Sequence, residues 1–192
     1  YDRGGIKVDQ RLRSSNRHVF AVGDVAGGPQ FTHIAGYHAG IIIKNLAFKI
    51  PAKVDYTALP WVTYADPELA HVGVTEEQAK QEFGPGGYEI TRWSFHENDR
   101  AQAEAKIDGL VKVILVKGRV RGASIIGPSA GELLQIWSLA VQEKMKISKI
   151  ASMIAPYPTL AEINKRAAGA YFTPKLFSNR TRKIVRFLQN FG

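Results

Sequence analysis

The chain has 192 residues, enough for one domain or for a small domain with part of another. With 45% hydrophobic and 22% charged residues, its composition excludes collagen and long disordered tracts. The absence of cysteine excludes disulfides, thiolate metal sites and cysteine nucleophiles within these residues, and no metal site is predicted. Lys44 and Lys49 interrupt the best membrane-span candidate, residues 41–50. Because the chain begins with Tyr1 and shows no signal segment, we expect a fragment of a longer polypeptide.

The charge of the chain is unevenly distributed. Its 26 Lys and Arg residues against 17 Asp and Glu residues give a net charge of +9, and no acidic residue follows Glu162. A basic end of this kind can contact nucleic acid, an anionic membrane or an acidic partner, and it can equally be a solvated face. The basic residues after Glu162 are Lys165, Arg166, Lys175, Arg180, Arg182, Lys183 and Arg186.

The same end of the chain shows helical periodicity, with apolar residues at i, i+3, i+4 and i+7. We interpret residues 173–192 as a basic amphipathic tail whose apolar face packs on the rest of the protein. Contact with an anionic membrane surface is the alternative. No nucleic acid partner is expected, because no aromatic and basic stacking platform accompanies the charges. The apolar positions are Ile184, Phe187, Leu188 and Phe191, and Arg182, Lys183 and Arg186 lie off that face.

Residues 1–50 predict half of a βαβ unit. Residues 18–22 form a short apolar run that suits a buried strand, and Gly23 and Asp24 end it. After a glycine-rich loop, Thr32 is a plausible N-cap for the helix that follows. Strand, loop and helix in this order are typical of a ligand-binding α/β segment. The predicted apolar positions of the helix are Ala35, Ala39, Ile42 and Leu46.

Residues 60–172 predict an α+β unit, which a linker over residues 51–59 separates from the first segment. Strands are predicted over residues 61–64, 88–95, 110–116 and 120–126, the last two joined by a hairpin loop at residues 117–119. Thr75 and Gln78 fit the capping box of a helix that ends at Gly84. Further helices are predicted from Gly131 and over residues 146–153. The stripe Leu133, Leu134, Trp137, Ala140 and Val141 suits a core or an interface.

The first candidate for chemistry is the pair Gly23 and Asp24 at the carboxyl end of the predicted strand, where α/β sheets bind ligands. A carboxylate there accepts hydroxyl hydrogen bonds from a ribose or ribitol chain. The helix that follows offers free amides and a positive dipole end to a pyrophosphate. The pair alone is a weak signal, because neither Gly-x-Gly-x-x-Gly nor a phosphate-binding P-loop occurs in the chain.

The wider sequence around this pair resembles a known family. Residues 19–24 and 31–35 resemble the second FAD-binding motif of the pyridine nucleotide-disulfide oxidoreductases, flavoenzymes related to dihydrolipoamide dehydrogenase. Residues 60–64 and 66–76 resemble the start of that family's dimerisation domain, and residues 98–101, 127–132 and 158–162 follow in the family's order. The resemblance implies that residues 1–50 end an FAD-binding domain. It also implies that residues 60–172 form a dimerisation domain with an antiparallel sheet packed by helices.

The resemblance also implies cofactors and binding residues. Asp24 would lie at the ribityl and pyrophosphate region of FAD. Phe31 and Thr32 would lie near the flavin ring, with the Thr32 amide facing its pyrimidine edge. The full-length enzyme would pass hydride from NAD(P)H to FAD and electrons to an acceptor that the sequence does not identify. This chain lacks the redox cysteine pair and the nicotinamide domain, so it should be inactive alone. The implied cofactor-binding set is Gly23, Asp24, Phe31, Thr32, His33 and Ala35.

The sequence departs from the family at Tyr157, where disulfide-reducing members carry a histidine paired with a glutamate that matches Glu162. Histidine titrates near neutral pH and exchanges protons with thiols, whereas a tyrosine with a pKa of about 10 stays protonated. We therefore expect Tyr157 and Glu162 at the catalytic position but an impaired dithiol reaction. A packed aromatic residue and an acidic helix start are the simpler readings of the two residues. The resemblance also implies a cis Tyr157–Pro158 bond.

The partners expected from the resemblance are a second copy of the protein and the rest of the same polypeptide. In this family the loop at Tyr157 belongs to the active site of the other subunit of a homodimer. A cytoplasmic protein is expected, with membrane association of the tail as an open alternative. The second hypothesis for function is a non-catalytic dimerisation or interaction module.

Overall fold

The computed structural model describes residues 1–191 and divides the chain into two compact units, Tyr1–Tyr56 and Thr57–Gly192. None of the helices over residues 1–191 is long and apolar enough to cross a membrane. The predicted domain boundaries at residues 50, 60 and 172 remain predictions, although residues 51–59 contain no helix or strand.

In the first unit, the strand predicted over residues 18–22 is absent. Residues 18–22 form only one isolated antiparallel bridge, between Arg13 and Phe20, and Val19 and Val22 are exposed. A strand needs neighbours for its N–H and C=O groups, and no named strand occurs within residues 1–56 of the structure. The prediction of a buried strand was therefore wrong for this chain. A short 3₁₀ turn, Gly23–Ala26, follows directly.

The helix of the first unit, α1, spans Thr32–Leu46. Phe31 is its N-cap residue and makes no side-chain cap, so Thr32 is the first helical residue and the predicted Thr32 cap was wrong. The buried face consists of Ile34, His38 and Ile41, at i, i+4 and i+7. The predicted stripe was displaced from this face, and its members Ala39 and Leu46 are exposed.

The second unit contains a five-stranded antiparallel sheet in the order β1-β2-β5-β4-β3, which confirms the α+β expectation. The strand β2 was not predicted, and it pairs with both β1 and β5. The β4–β5 hairpin has a two-residue loop, Lys117 and Gly118, with φ angles of 52° and 71°. Two consecutive positive φ angles are the signature of a type I′ turn. The strands are β1 Pro60–Thr63, β2 Glu68–Gly73, β3 Glu89–Ser94, β4 Leu110–Val116 and β5 Arg119–Gly127.

Helices pack on this sheet. The capping box of α2 is confirmed, because the Thr75 hydroxyl accepts from the Gln78 amide and the Gln78 side chain accepts from the Thr75 amide. The helix ends at Gly84, as predicted. The helix predicted from Gly131 is interrupted at Leu134 and forms α4 and α5. Up to residue 172 the helices are α2 Glu76–Phe83, α3 Asp99–Ala103, α4 Ala130–Leu133, α5 Gln135–Gln142, α6 Ile147–Ala151 and α7 Glu162–Ala170.

The stripe on α4 and α5 belongs to the core of the second unit. Its residues are buried against the sheet and against α7, which resolves the choice between core and interface that the sequence left open. Trp137 is fully buried, and its Nε1 donates to the Asn164 Oδ1 on α7 at 2.7 Å. The Asn164 Nδ2 donates to the Leu133 carbonyl at 2.9 Å. These two hydrogen bonds join α4, α5 and α7 inside the core.

The tail forms two further helices, α8 Thr173–Leu176 and α9 Asn179–Leu188. The expected packing of its apolar face on the protein was wrong within the described residues: Ile184 is 49% exposed and Leu188 is 59% exposed. No residue of α9 is buried, and none belongs to the core of the second unit. The side chain of Phe191 lies outside the described part of the chain.

Candidate functional site

The first part of the candidate site is the turn at Gly23. This residue has a φ of +66°, and a Cβ built on it would lie 3.1 Å from the Cβ of Ala35. Glycine is required there, because any other side chain would strain the backbone and press on α1. The structure thus brings together two predicted site residues, Gly23 and Ala35, which are twelve positions apart in the sequence.

A buried histidine that sequence reasoning missed holds this turn. The Gly23 amide donates to the His38 Nδ1 at 3.0 Å, and the His38 Nε2 lies 2.6 Å from the Tyr56 hydroxyl. Because Nδ1 accepts a hydrogen bond, the proton of the neutral ring is on Nε2, which donates to Tyr56. Burial lowers the pKa of His38 and keeps the ring neutral. Its i+4 spacing from Ile34 is the sequence signal that could have placed it on the buried face.

Polar groups at the start of α1 are accessible beside this turn. Asp24 is exposed and its carbonyl accepts from the Gly27 amide at 3.0 Å. Thr32 is also exposed, and no side chain caps the helix start. The ring of Phe31 stacks on that of His33 with centroids 5.1 Å apart. A carboxylate next to an uncapped helix N-terminus can bind a ligand that carries both hydroxyl groups and an anion.

We predict a pH-dependent contribution of His38 to stability. Its pKa in the folded chain lies below the ordinary 6.5, so the unfolded chain binds more protons below that pH. The contribution of His38 to the free energy of unfolding should therefore be complete above pH 6.5 and should decrease as the pH falls below 6.5. In the variant His38→Gln, whose amide oxygen can still accept from Gly23, this fall should be smaller. His71 has the same direction of shift, so it remains as a common background in both proteins.

Thermal unfolding of the 192-residue chain and of His38→Gln between neutral pH and about pH 5 measures the difference. The two melting temperatures should lie further apart at neutral pH than at low pH. A constant difference across this range would show that His38 does not titrate on unfolding and would contradict the prediction.

The second part of the candidate site is the loop before α7. Tyr157 is 67% exposed, which excludes the reading of a packed aromatic residue. Its hydroxyl donates to the Asp99 Oδ2 at 2.9 Å, and the Tyr157–Pro158 bond is cis, as expected. The hydrogen bond to Asp99 raises the pKa of Tyr157. Tyr157 is therefore a protonated hydrogen-bond donor at neutral pH and not a base.

The loop is attached to α3 by a buried asparagine. The Asn98 Nδ2 donates to the Thr159 carbonyl at 3.1 Å, and the Asn98 Oδ1 accepts from the Ala101 amide at 3.0 Å. The Thr159 hydroxyl donates to the Pro156 carbonyl at 2.8 Å. One side chain thus caps α3 and holds the loop, which keeps Tyr157 within reach of its acceptor on α3.

Glu162, the first residue of α7, does not pair with Tyr157. Its carboxylate accepts from the Arg166 guanidinium one turn later, at 2.9 Å and 3.0 Å. In this structure the phenol of Tyr157 is instead bound to Asp99. The two predicted catalytic residues therefore lie on the same loop and helix start but belong to separate hydrogen-bonded pairs. The acidic side chain at the helix start is also favoured by the helix dipole.

The sequence profile described as the pyridine nucleotide-disulphide oxidoreductase dimerisation domain matches residues 59–168, more than half of the chain. The chain belongs to this family. A second profile, described as pyridine nucleotide-disulphide oxidoreductase, matches residues 1–39. The two matches follow the order that the sequence resemblance predicts, and they confirm the identification of the family.

Curated relatives of the chain are dihydrolipoyl dehydrogenases. The protein from Geobacillus stearothermophilus is 39% identical over 171 residues, which cover 87% of this chain and 35% of that protein. The mitochondrial protein from Caenorhabditis elegans is 35% identical over 180 residues, which cover 93% of this chain and 36% of that protein. The chain thus spans about a third of the length of the curated relatives that it matches.

Solved structures show the same fold. The HOCl-induced flavoprotein disulfide reductase RclA from Escherichia coli matches with a TM-score of 0.81 and 26% identity, over 88% of this chain and 39% of that chain. LpdA from Mycobacterium tuberculosis matches with a TM-score of 0.79 and 23% identity, over 86% of this chain and 36% of that chain. The second likeness concerns the fold alone.

Proposed function

We propose that the chain is the C-terminal part of an FAD-dependent oxidoreductase that passes hydride from NAD(P)H to FAD and electrons to an acceptor. The family profiles support this proposal, as do the curated relatives, which are dihydrolipoyl dehydrogenases about three times as long. The chain alone holds one edge of a flavin site and no cysteine, so we propose that it is inactive without the rest of the polypeptide.

The observation that carries the proposal is the close packing of Gly23 on Ala35 beside the uncapped start of α1. This packing leaves the Asp24 carboxylate exposed for the hydroxyl groups of a ribityl chain. The positive dipole end of α1 would attract a pyrophosphate. The Thr32 amide would face the pyrimidine edge of the flavin, near Phe31 and His33. These residues fit FAD, which when bound supplies the hydride-accepting ring.

We further propose that the acceptor of the full-length enzyme does not require a base at Tyr157. A dithiol substrate must lose protons, and the family's histidine can accept them near neutral pH. Tyr157 has a raised pKa, and its hydroxyl donates a hydrogen bond to Asp99. It can donate a hydrogen bond to an acceptor but cannot hold a thiol proton. This arrangement favours an acceptor reduced without thiol exchange.

The homodimer that the family domain implies can bring this loop to a second subunit. We propose that Tyr157 and Glu162 face the flavin bound by the partner. A row of exposed apolar side chains across the sheet, Leu69 on β2, Ile126 on β5 and Leu110 on β4, lies in one register and supports an association surface. Apolar side chains aligned across three strands are more consistent with a covered surface than with a solvated one.

A non-catalytic association module is the second candidate. The observation that favours it is the completeness of the second unit, whose sheet and helices form one buried core within residues 57–172. Such a unit can associate without any cofactor. The two candidates differ in whether the full-length protein binds flavin.

We predict that the 192-residue chain sediments as a dimer at micromolar concentration and stays colourless after incubation with FAD. The full-length protein should be yellow and should show flavin absorbance that NAD(P)H bleaches. In the full-length protein, Asp24→Ala should lower the occupancy of FAD, whereas the control Asp9→Ala, an exposed carboxylate of the same unit, should not. A colourless full-length dimer would support the association module instead, and a monomeric chain would contradict both candidates.

A further inference from the structure

The helix α9 separates its side chains into two faces. At 100° per residue, Ile184, Val185 and Leu188 fall within one arc of about 100°. Arg182, Lys183 and Arg186 fall on the opposite side. A surface helix of a globular domain buries its apolar arc against a core, and α9 does not: no residue of α9 is buried.

The apolar surface continues before α9. Leu176, the last residue of α8, and Phe177, which follows it, are 59% and 68% exposed, and Val185 and Leu188 are 47% and 59% exposed. Scattered single apolar residues on a surface are ordinary, but six exposed large apolar side chains within residues 176–188, Phe187 among them, form a concentrated patch. A patch of this kind is typical of a surface that an apolar partner covers.

The charge of the segment identifies the chemistry of that partner. Residues 173–192 contain five Lys and Arg residues and no Asp or Glu, so their charge favours an anionic partner. An apolar arc next to a basic arc matches the boundary between acyl chains and acidic headgroups. A nucleic acid would satisfy the basic arc but would leave the aliphatic arc in water.

The start of α9 is fixed to the dimerisation domain. The Ser178 side chain caps α9 by accepting from the Thr181 amide, and the Thr181 hydroxyl donates to the Lys175 carbonyl at 2.7 Å. Lys175 in turn donates to the Tyr171 hydroxyl at 3.2 Å, and Tyr171 donates to Glu89 on β3 at 2.8 Å. The start of the helix is therefore linked to β3 through Lys175 and Tyr171, and its binding would orient the domain.

We infer that α9, with Leu176 and Phe177 before it, binds the surface of an anionic lipid bilayer. The apolar arc would lie at the acyl boundary, and Arg182, Lys183 and Arg186 would face the acidic headgroups. This inference does not depend on the proposed flavin chemistry, because it uses only the tail and its attachment to β3. Loss of membrane binding would leave the flavin absorbance of the full-length protein unchanged.

Co-sedimentation of the full-length protein with vesicles of phosphatidylcholine and phosphatidylglycerol tests the inference. We expect binding that falls as salt is added and that is much weaker to vesicles of phosphatidylcholine alone. Neutralising two cations, Arg182→Gln with Arg186→Gln, should weaken binding roughly 25-fold, at about fivefold per cation. The matched control, Lys53→Gln with Lys149→Gln, removes the same charge from two exposed positions outside the tail and should change binding less than twofold.

A second pair of variants tests the apolar arc. Ile184→Gln with Leu188→Gln keeps every charge and should weaken vesicle binding by roughly tenfold or more, because each substitution removes apolar area from the acyl boundary. All variants should keep the circular dichroism spectrum of the parent protein, since no residue of α9 contributes to the core.

Three results would overturn the inference. One is absence of binding to anionic vesicles by a folded full-length protein. Another is binding that survives deletion of residues 179–192. The last is a DNA duplex that binds the protein more tightly than the vesicles do, with no loss when Ile184→Gln and Leu188→Gln are combined. That result would assign the basic arc to a nucleic acid.

Discussion

Replacing Tyr157 with histidine in the full-length protein should raise its rate of dihydrolipoamide oxidation by roughly 100-fold, the lower end of what a positioned acid–base group contributes. Histidine at this position can accept a thiol proton near neutral pH, whereas the Tyr157 phenol has a raised pKa and is already a donor to Asp99. Steady-state kinetics with dihydrolipoamide and NAD⁺ measure the change. Thiol titration of the unfolded full-length protein first determines whether it contains a cysteine pair.

The pH profile of this variant identifies the partner of the new histidine. Asp99 lies within hydrogen-bond distance of the Tyr157 hydroxyl, whereas Glu162 is paired with Arg166. A carboxylate next to an imidazole favours the charged ring, so the pKa of the histidine should exceed its ordinary 6.5. Adding Asp99→Asn to Tyr157→His should move the pH dependence of kcat/KM toward lower pH. Adding Glu162→Gln should move it less.

Tyr157→Phe is the matched control for size and aromatic character. It should leave the reduction of the bound flavin by NAD(P)H unchanged, because that step does not use this loop in the proposed mechanism. If Tyr157→His binds flavin and dimerises but oxidises dihydrolipoamide no faster than the parent protein, the assignment of this position to the thiol reaction is wrong. An unaltered parent that already oxidises dihydrolipoamide at the rate of the variant would contradict the proposed acceptor.

The β4–β5 hairpin and the start of α2 could be predicted because their local signals agree with one another, whereas β2 was missed. Residues 110–116 and 120–126 are β-branched and apolar, and Lys117 and Gly118 supply the turn between them. The capping box at Thr75 is a local device that needs only four residues. Signals of this kind do not depend on distant parts of the chain, and the structure confirms them.

In the first unit, local signals in the sequence did not predict the structure. Residues 18–22 have the composition of a buried strand, but a strand forms only where another strand satisfies its backbone. The helix face was misplaced because small and large apolar residues occur almost all round α1, so its pattern has no clear polar side. His38, a polar residue, was therefore not assigned to the buried face, although it holds the Gly23 turn.

The candidate site near Tyr157 depends on a pairing that no local pattern specifies. Asp99 and Tyr157 are 58 positions apart, and only the tertiary fold brings the phenol to the carboxylate. Asp99 belongs to a motif that supported the family resemblance, yet its side chain had no assigned role. The Glu162–Arg166 pair, by contrast, follows from i,i+4 spacing on a helix and could have been found from the sequence.

The core that supports α7 leads to the largest expected change in stability. Trp137→Ala should lower the free energy of unfolding of the 192-residue chain by about 3–5 kcal/mol, because it leaves a cavity in the core. It also leaves the Asn164 Oδ1 without the donor that now lies at 2.7 Å. The control Leu139→Ala, on the exposed side of the same helix, should change the free energy by about 0.5 kcal/mol or less.

Two more variants separate the hydrogen bond from the packing of Trp137. Trp137→Phe keeps an aromatic ring but removes the donor, and it should cost about 1–3 kcal/mol through the unpaired Asn164 Oδ1. Combining it with Asn164→Leu removes both polar partners but also the bond from Asn164 to the Leu133 carbonyl. Urea denaturation followed by circular dichroism gives the four free energies of the double-mutant cycle. A coupling energy near zero would show that Trp137 stabilises α7 by packing alone. The position of Glu162, the first residue of α7, would then not depend on the hydrogen bond between Trp137 and Asn164.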